Sequence, residues 1–164
     1  MNTESKIKII ERFDSYYSGI NNKGAFLLTF NTFLIGGFII GYNDIIASIC
    51  CNWICAFNLI VGGLMILSIA SMILTIFAII PFLGYEKSDN KSNWFFNDIA
   101  TSKKENYLKK MRSSTEDSNQ NDLNIQIYYL AKGLRKKHFL VKIALICNLI
   151  EIFLLIPITI LILI

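Results

Sequence analysis

Charged residues and histidine are scarce in this sequence of 164 residues. Lys, Arg, Asp and Glu together make up 17% of it, whereas soluble domains average about 25%. A single histidine argues against the usual Cys/His zinc sites, a Ser-His-Asp triad or a supported Cys-His dyad. The four cysteines match no metal-binding spacing, and no phosphate-binding glycine loop occurs. We therefore expect no catalytic residues, no metal and no cofactor, so an enzyme is not predicted.

Apolar residues are correspondingly abundant. They make up 54% of the sequence, and the mean hydropathy is +0.49. Residues 24–43 and 45–85 contain no charged side chain at all. Uncharged runs of this length do not form the core of a soluble domain, which indicates an integral membrane protein.

Three runs are long enough to cross a bilayer, which requires about 20 mostly apolar residues. The predicted spans are residues 24–42, 53–82 and 139–164, and Pro81 with Gly84 is a plausible end for the second. Residues 1–23 are predicted to form a cytoplasmic amphipathic helix, and residues 85–138 a cytoplasmic helical region. The predicted class is all-α, a single domain over 1–164 with three transmembrane helices and a small helical cytoplasmic layer.

Basic residues predict the orientation, since Lys and Arg stay on the cytoplasmic side. Residues 1–23 hold four, residues 43–52 hold none and residues 85–138 hold eleven. The N-terminus and the long loop are therefore expected in the cytoplasm, and the C-terminus on the opposite side. A cleaved signal peptide is the alternative for the first span, but the charged segment before it is long and no small-x-small site follows Gly41.

Helical spacing extends into the polar segments. Ile7, Ile10, Phe13, Tyr17 and Ile20 form one apolar stripe before the first span. A short helix is predicted over 98–112 and a hinge or mobile loop over 113–121. Asp122 is expected to cap a helix that continues to residue 164, about 60 Å long. Such a helix would carry a rotation or tilt from the cytoplasm into the bilayer.

Glu151 lies near the middle of the third span, where a charged side chain costs roughly 2.5 to 3.5 kcal/mol. Helical steps place it on one face with Asn148, Leu155 and Thr159. In a ring of subunits, this face would line a cation-selective path. Alternatively, Glu151 is protonated, or is hydrogen-bonded to Asn31 or Asn58 in a packed helix interface, and conducts nothing.

Small residues suggest where helices approach one another closely. Gly37 and Gly41 form a small-xxx-small pair in the first span. Ser68, Ser71, Thr75 and Ala78 form a small, mostly polar stripe in the second. Both features favour helix packing over direct contact with ions.

Basic and aromatic side chains of the polar segments could bind a ligand that carries a phosphate group and a flat ring. For Arg135, Lys136 and Lys137, anchoring to anionic lipid headgroups is the simpler interpretation. For Trp94 to Phe96, an interfacial aromatic belt or the core of a small cytoplasmic layer is favoured over stacking on a ligand. The ligand-binding candidates are Lys23, Trp94, Phe96, Lys103, Lys104, Lys109, Arg112 and Arg135.

Three motifs in order, 22–24 (NKG), 94–100 (WFFNDIA) and 122–140 (DLNIQIYYLAKGLRKKHFL), resemble the transmembrane effector family of Pycsar antiphage defence. The resemblance implies a multi-pass protein of the bacterial inner membrane. It also implies a nucleotide second messenger from a partner cyclase or nucleotidyltransferase. In response, a homo-oligomer would form or open an ion-conducting or membrane-disrupting assembly that causes growth arrest or cell death. The lipid bilayer is an expected partner and duplex nucleic acid is not.

Two other functions remain open at this point. The chain could be a non-conducting anchor or scaffold that recruits a soluble partner through its basic cytoplasmic layer. It could also be a holin-like membrane toxin that needs no signal. Partner binding without conductance would indicate the scaffold, and killing on expression alone would indicate the toxin.

Overall fold

The computed structural model describes residues 3–81 and 92–163, which are helical apart from short connections. Helix α1 covers Thr3–Ser48, a 3-10 turn covers Cys51–Trp53 and α2 covers Ile54–Ile79. Helix α3 covers Phe96–Ala100, α4 covers Lys104–Ser113 and α5 covers Glu116–Leu163. Helix α1, α2 with its preceding turn, and α5 are long and apolar enough to cross a membrane. The predicted all-α class with three spanning helices is confirmed.

Helix α2 ends where a proline follows. Ile80 has left the helical region, with φ −49° and ψ 131°, because a residue that precedes proline is pushed towards extended conformations. Pro81 is the last described residue of this segment. Gly84, Lys87 and Lys91 of the predicted span end and basic loop lie outside the described residues, as does Ile164.

The chain divides into two compact units. The polar unit comprises Met1–Ser18 and Pro81–Arg135, and the bundle unit comprises Gly19–Ile80 and Lys136–Ile164. The bundle unit contains the apolar parts of α1, α2 and α5. Phe57, Val61, Leu64 and Ile158 are buried together in one part of its core.

Buried residues in the bundle unit repeat in alternating steps of three and four residues. This 3.5-residue period is the signature of left-handed helix packing with knobs in holes. Many of the side chains at these positions are polar, so a polar seam runs through an otherwise apolar bundle. The buried positions are Ile20, Gly24, Leu27 and Asn31 in α1, Phe57, Val61, Leu64, Ser68, Ser71, Thr75 and Ala78 in α2, and Lys137, Val141, Ala144, Asn148, Glu151 and Ile158 in α5.

The small stripe of α2 is fully buried, which confirms its predicted role in close helix packing. On α1, the close approach falls at Gly24: a Cβ atom there would lie 2.7 Å from Cδ1 of Ile79. At Gly37 a Cβ would meet nothing within 4 Å, and at Gly41 it would meet only Ile45 of the same helix. Among residues 3–81 and 92–163, therefore, the Gly37/Gly41 pair does not mediate contact between helices.

Helix α5 begins earlier than predicted. Thr115 accepts a hydrogen bond at its hydroxyl from the Ser118 amide, at 3.3 Å, and so caps the helix. Glu116 and Asp117 lie in the first turn, where acidic side chains interact favourably with the positive end of the helix dipole. The predicted hinge over 113–121 is therefore wrong for the part that begins at Glu116. Asp122 does not cap the helix, because its carboxylate binds another segment.

The single helix predicted over 98–112 is divided into α3 and α4. Thr101 donates its hydroxyl hydrogen bond to the carbonyl of Asn97 at 2.8 Å, and Ser102 to that of Asp98 at 2.7 Å. Hydroxyl groups that bind nearby carbonyls favour helix ends over helix interiors. Two such residues in succession explain why the helical pattern stops here.

The apolar stripe predicted for the start of α1 is turned inward from Ile10 onwards, since Ile10, Phe13 and Tyr17 are half-buried and Ile20 is buried, but its first member, Ile7, is not. Ile7 is 40% exposed, whereas Lys6 is only 3% exposed. The Lys6 ammonium donates to the backbone carbonyl of Gln120 at 3.0 Å and to its side-chain oxygen at 2.9 Å. Ile7 was predicted to be buried because it is apolar. Hydropathy does not show that Lys6 can reach the oxygens of Gln120 and so take the buried position instead.

Candidate functional site

The centre of the bundle unit is a hydrogen-bonded cluster from three helices. Asn31 of α1 donates through Nδ2 to Oδ1 of Asn148 on α5, at 3.1 Å. Ser71 of α2 donates its hydroxyl to the same oxygen at 2.6 Å. All three side chains are buried. One amide oxygen therefore links the three apolar helices at a single level of the bundle.

Glu151 lies one helical turn beyond Asn148 on α5, and its residue is 0% exposed. The Ser68 hydroxyl of α2 lies near its carboxyl group. Within residues 3–81 and 92–163, neither carboxyl oxygen of Glu151 nor the Ser68 hydroxyl has a properly formed hydrogen bond. The side-chain oxygen of Asn31 is likewise buried without a hydrogen bond to the described residues. Burial of the Glu151 carboxyl group is unfavourable in free energy, because no protein hydrogen bond replaces its hydrogen bonds to water.

The predicted pore-lining residues do not share one exposed face within the chain. Asn148 and Glu151 are buried, Leu155 is half-buried and Thr159 is exposed. Thr159 instead donates its hydroxyl to the carbonyl of Leu155 at 2.8 Å, and Ile158 takes the next buried position. In the second interpretation of Glu151, Asn31 or Asn58 would bind it. Asn31 binds Asn148, and Asn58 accepts from the hydroxyl of Tyr42 at 2.9 Å.

Lys137 caps the C-terminal end of α2. It is buried, and its ammonium donates to the carbonyls of Ala78 and Ile79, the latter at 3.1 Å. A cation at the C-terminal end of a helix satisfies carbonyls that lack an amide partner. Lys137 therefore does not contact lipid headgroups as predicted, while Arg135 and Lys136 are exposed.

In the polar unit, Ser92 organises the turn that precedes α3. Its hydroxyl donates to Oδ2 of Asp122 at 2.9 Å and accepts from Gln126 at 3.1 Å. It also accepts the backbone amides of Trp94 and Phe95, each at 3.0 Å. Because Asp122 lies on α5, the turn brings the 94–100 motif to the 122–140 motif.

Two carboxylates hold this turn. Asp122 accepts the backbone amide of Asn93 at 2.7 Å, and Asp98 accepts that of Ser92 at 2.8 Å. Asn93 also donates its side-chain amide to Asn119 of α5 at 3.3 Å. Hydrogen bonds to charged acceptors are stronger than neutral ones. The turn is thus held by Asp98 of α3 from within its own segment and by Asp122 of α5.

Tyr17 attaches the first part of α1 to α5 within the polar unit. Its hydroxyl donates to the carbonyl of Leu130 at 2.8 Å. Burial, and then the nearby Asp14 carboxylate, raises the pKa of Tyr17 above its ordinary value of 10.0. The phenol therefore stays protonated, and remains a donor, to a higher pH than an exposed tyrosine.

The predicted ligand-binding residues are dispersed over the described surface. Lys109 and Arg112 share a groove of about 460 Å³ on α4 with Glu105, Leu108 and Ser113. Trp94, Phe96, Lys103, Lys104 and Arg135 are exposed but do not line that groove, and the ring of Phe96 lies 5.1 Å from that of Phe95. Lys23 belongs to the bundle unit.

The sequence analysis missed several residues with structural roles. Ser92 and Gln126 were overlooked because their partners come from a distant segment. Thr115 could have been found, since Thr-Glu-Asp-Ser is a helix-start pattern. Lys142 was also missed, although it is a charged residue inside the third predicted span.

The three long apolar helices define the class as a small, multi-pass α-helical membrane protein. A family model described as the Pycsar effector protein domain matches residues 7–164. The chain therefore belongs to the Pycsar effector transmembrane family, and the resemblance inferred from its three motifs is confirmed. Members are membrane effectors of cyclic-nucleotide antiphage defence, which implies a signal made by a partner cyclase. No curated protein and no solved structure matches the chain.

Proposed function

We propose that this Pycsar effector permeabilises the bacterial inner membrane as a homo-oligomer, through a path that Glu151 lines once the bundle rearranges. The outcome is growth arrest or death of the infected cell. The observation that carries the proposal is the carboxyl group of Glu151, fully buried without a hydrogen bond among the described residues. Intramembrane acidic residues mark ion pathways more often than they serve packing.

In the resting arrangement, Glu151 is enclosed by its own chain. A displacement of α5 from α2 would break the Ser71–Asn148 hydrogen bond and expose Asn148 and Glu151 together. An ionised carboxylate is far more stable in water than in an apolar interior. Hydration of Glu151 therefore favours the open arrangement, and a ring of such carboxylates favours cations. Leu155 would border this path, and Thr159 would lie near its end.

Helix α5 is the element through which a signal would act. It carries Asp122 and Gln126, which hold the turn before α3, and it also carries Asn148 and Glu151. The cyclic nucleotide would bind the polar unit, with its phosphate at Lys109 and Arg112 and its base on an exposed ring of Trp94 or Phe96. Lys103, Lys104 and Arg135 would add long-range attraction. For a cyclic nucleotide made inside the cell to reach this site, the polar unit must lie in the cytoplasm.

Exposed glycines support assembly. At Gly37 on α1, and at Gly62 and Gly63 on α2, an added Cβ would meet no described atom within 4 Å beyond the adjacent residues and backbone of its own helix. Glycines on the outside of a membrane helix permit close approach by another helix. A second copy of the chain would use these positions, which a single chain leaves open.

The decisive experiment is a conductance measurement on the full chain in planar bilayers, with and without the cyclic nucleotide product of the partner cyclase. Glu151→Gln keeps the shape of the side chain and removes its charge. We expect it to reduce cation over anion selectivity at least several-fold. Glu116→Gln, an exposed acidic residue at the start of α5, is the matched control and should behave as wild type. Unchanged selectivity in Glu151→Gln would remove Glu151 from the path.

Nucleotide binding is tested separately by calorimetric titration of the purified protein with the same cyclic nucleotide. The double variant Lys109→Gln and Arg112→Gln should weaken binding by more than tenfold, because each phosphate contact is charge-assisted. The exposed Lys132→Gln serves as its control. Equal affinity in all three proteins would place the ligand elsewhere.

The exposed basic residues of the polar unit favour one alternative function, a non-conducting scaffold for a soluble acidic partner. The two functions differ in one measurement. A scaffold retains its partner in a pull-down while bilayers that contain the protein stay silent with the nucleotide present. A holin-like toxin would conduct in the absence of any nucleotide.

A further inference from the structure

A second basic site lies in the bundle unit, apart from the residues proposed for the nucleotide. A groove of about 300 Å³ separates α1 from α5. Ile20 and Lys23 line it from α1, and His138, Lys142, Ile146 and Leu149 are among the residues that line it from α5. We propose that this groove binds one anionic phospholipid, with its phosphate held by Lys23, His138 and Lys142.

The basic side chains of the groove are available to such a ligand. Lys23, His138 and Lys142 are all exposed, and no carboxylate is among the lining residues. Within residues 3–81 and 92–163, neither lysine forms a salt bridge. Two ammonium groups and an imidazole on one concave surface are complementary to a phosphate diester.

The position of Lys142 requires compensation in a membrane. It is exposed on α5 within an apolar segment that continues to residue 163. A lysine on the outside of such a segment extends its ammonium towards the headgroup level, where phosphates lie. Lys23 occupies the corresponding place on α1, directly before the uncharged run that starts at Gly24.

The apolar part of the groove favours a lipid over a free nucleotide. Beyond Lys142, the surface of α5 continues with Ile146 and Leu149, about 6 and 10 Å further along the axis. These aliphatic side chains suit an acyl chain that descends from a headgroup. A nucleotide base would need a stacking ring of Trp, Tyr or Phe, or a carboxylate or amide for its polar edge. The described lining residues include none of these, and their one aromatic ring, the imidazole of His138, is the proposed phosphate partner.

Native mass spectrometry of the full chain in detergent tests the site by titration with phosphatidylglycerol and, in parallel, phosphatidylcholine. The wild type should retain one phosphatidylglycerol with a preference that phosphatidylcholine does not show. Lys23→Gln with Lys142→Gln should weaken that binding on the order of 30-fold, since each basic residue near an anionic surface contributes roughly fivefold in affinity. Lys132→Gln with Lys136→Gln, two exposed lysines that do not line the groove, is the matched control and should leave it unchanged.

Two further measurements distinguish a lipid site from a folding defect and from a site for soluble phosphate. Lys23→Arg with Lys142→Arg preserves both charges and should restore binding, which separates loss of the site from loss of folding. Cyclic nucleotide and inorganic phosphate are then added as competitors at millimolar concentration. Retention of phosphatidylglycerol supports the lipid site, whereas its displacement by either competitor would overturn the proposal in favour of a soluble phosphate. Equal binding by the groove and control variants would also overturn it. Neither result depends on conductance, so this proposal can fail while the Glu151 path stands.

Discussion

Asn31 of α1 and Asn148 of α5 form a direct hydrogen bond of 3.1 Å, although 117 residues separate them along the chain. Ser71 of α2 binds the same oxygen of Asn148. This cluster adjoins the enclosed carboxyl group of Glu151. In the proposed mechanism, the residues of this cluster would have to separate before Glu151 reaches water.

Asn148→Leu is predicted to destabilise the bundle. It leaves the amide of Asn31 and the hydroxyl of Ser71 without their shared acceptor, at a cost of about 1 to 3 kcal/mol. Thermal unfolding in detergent, followed by circular dichroism, should show a lower midpoint. Thr32→Val, which removes an exposed hydroxyl bound to its own helix, should have little effect. If the two variants unfold alike, the cluster contributes nothing to stability.

Gly24→Ala is predicted to weaken the contact between α1 and α2. The added Cβ would lie 2.7 Å from Cδ1 and 2.8 Å from Cγ1 of Ile79, so that side chain must move. We expect a loss of about 1 kcal/mol in unfolding free energy, typical of mild overpacking. Gly19→Ala meets no atom within 4 Å and should stabilise the helix slightly. Stabilisation by both substitutions would show that Gly24 is not a tight contact.

Lys137→Met should destabilise the protein by leaving the carbonyls at the end of α2 without a donor. Hydrogen bonds from charged groups contribute about 1.5 to 3 kcal/mol, and methionine retains the apolar stem. Hydrogen exchange in the last turn of α2 should accelerate, as seen by mass spectrometry of peptides from that segment. Lys136→Met, at the adjacent exposed position, provides the comparison. Equal protection in both variants would mean that Lys137 does not cap the helix.

The raised pKa of Tyr17 predicts that the stabilisation provided by this residue is lost at alkaline pH. Its pKa is raised in the folded state, so its stabilisation is fully present below its unfolded pKa near 10 and is lost as the pH rises through the folded pKa. The stability difference between wild type and Tyr17→Phe, about 1 kcal/mol at neutral pH, should therefore shrink in strongly alkaline buffer. Denaturant unfolding from pH 8 to 11 measures it. Tyr16→Phe, an exposed neighbour, should show no such trend.

Parts of the candidate site were accessible from the sequence. Glu151 was identified because an acidic residue inside an apolar run is conspicuous, and Ser68, Ser71 and Thr75 because small residues recur at helical spacing. The partner of Asn31 was not identified: the sequence analysis offered Asn31 as a partner of Glu151, whereas it binds Asn148. Lys137 was assigned to lipid because a local pattern shows a basic cluster without showing which carbonyls lie nearby.

The amino-acid sequence alone determined that this chain is an all-helical membrane protein with three spanning helices, because apolar length and charge distribution are properties of each segment by itself. Its three ordered motifs also sufficed to indicate the Pycsar effector family. Only the tertiary structure decided that Lys6 is buried while Ile7 is exposed, that Asp122 holds a distant turn, and that Glu151 is enclosed within one chain. The physical reason is that burial and pairing depend on the rotation and axial register of neighbouring helices, which result from the packing of all three together.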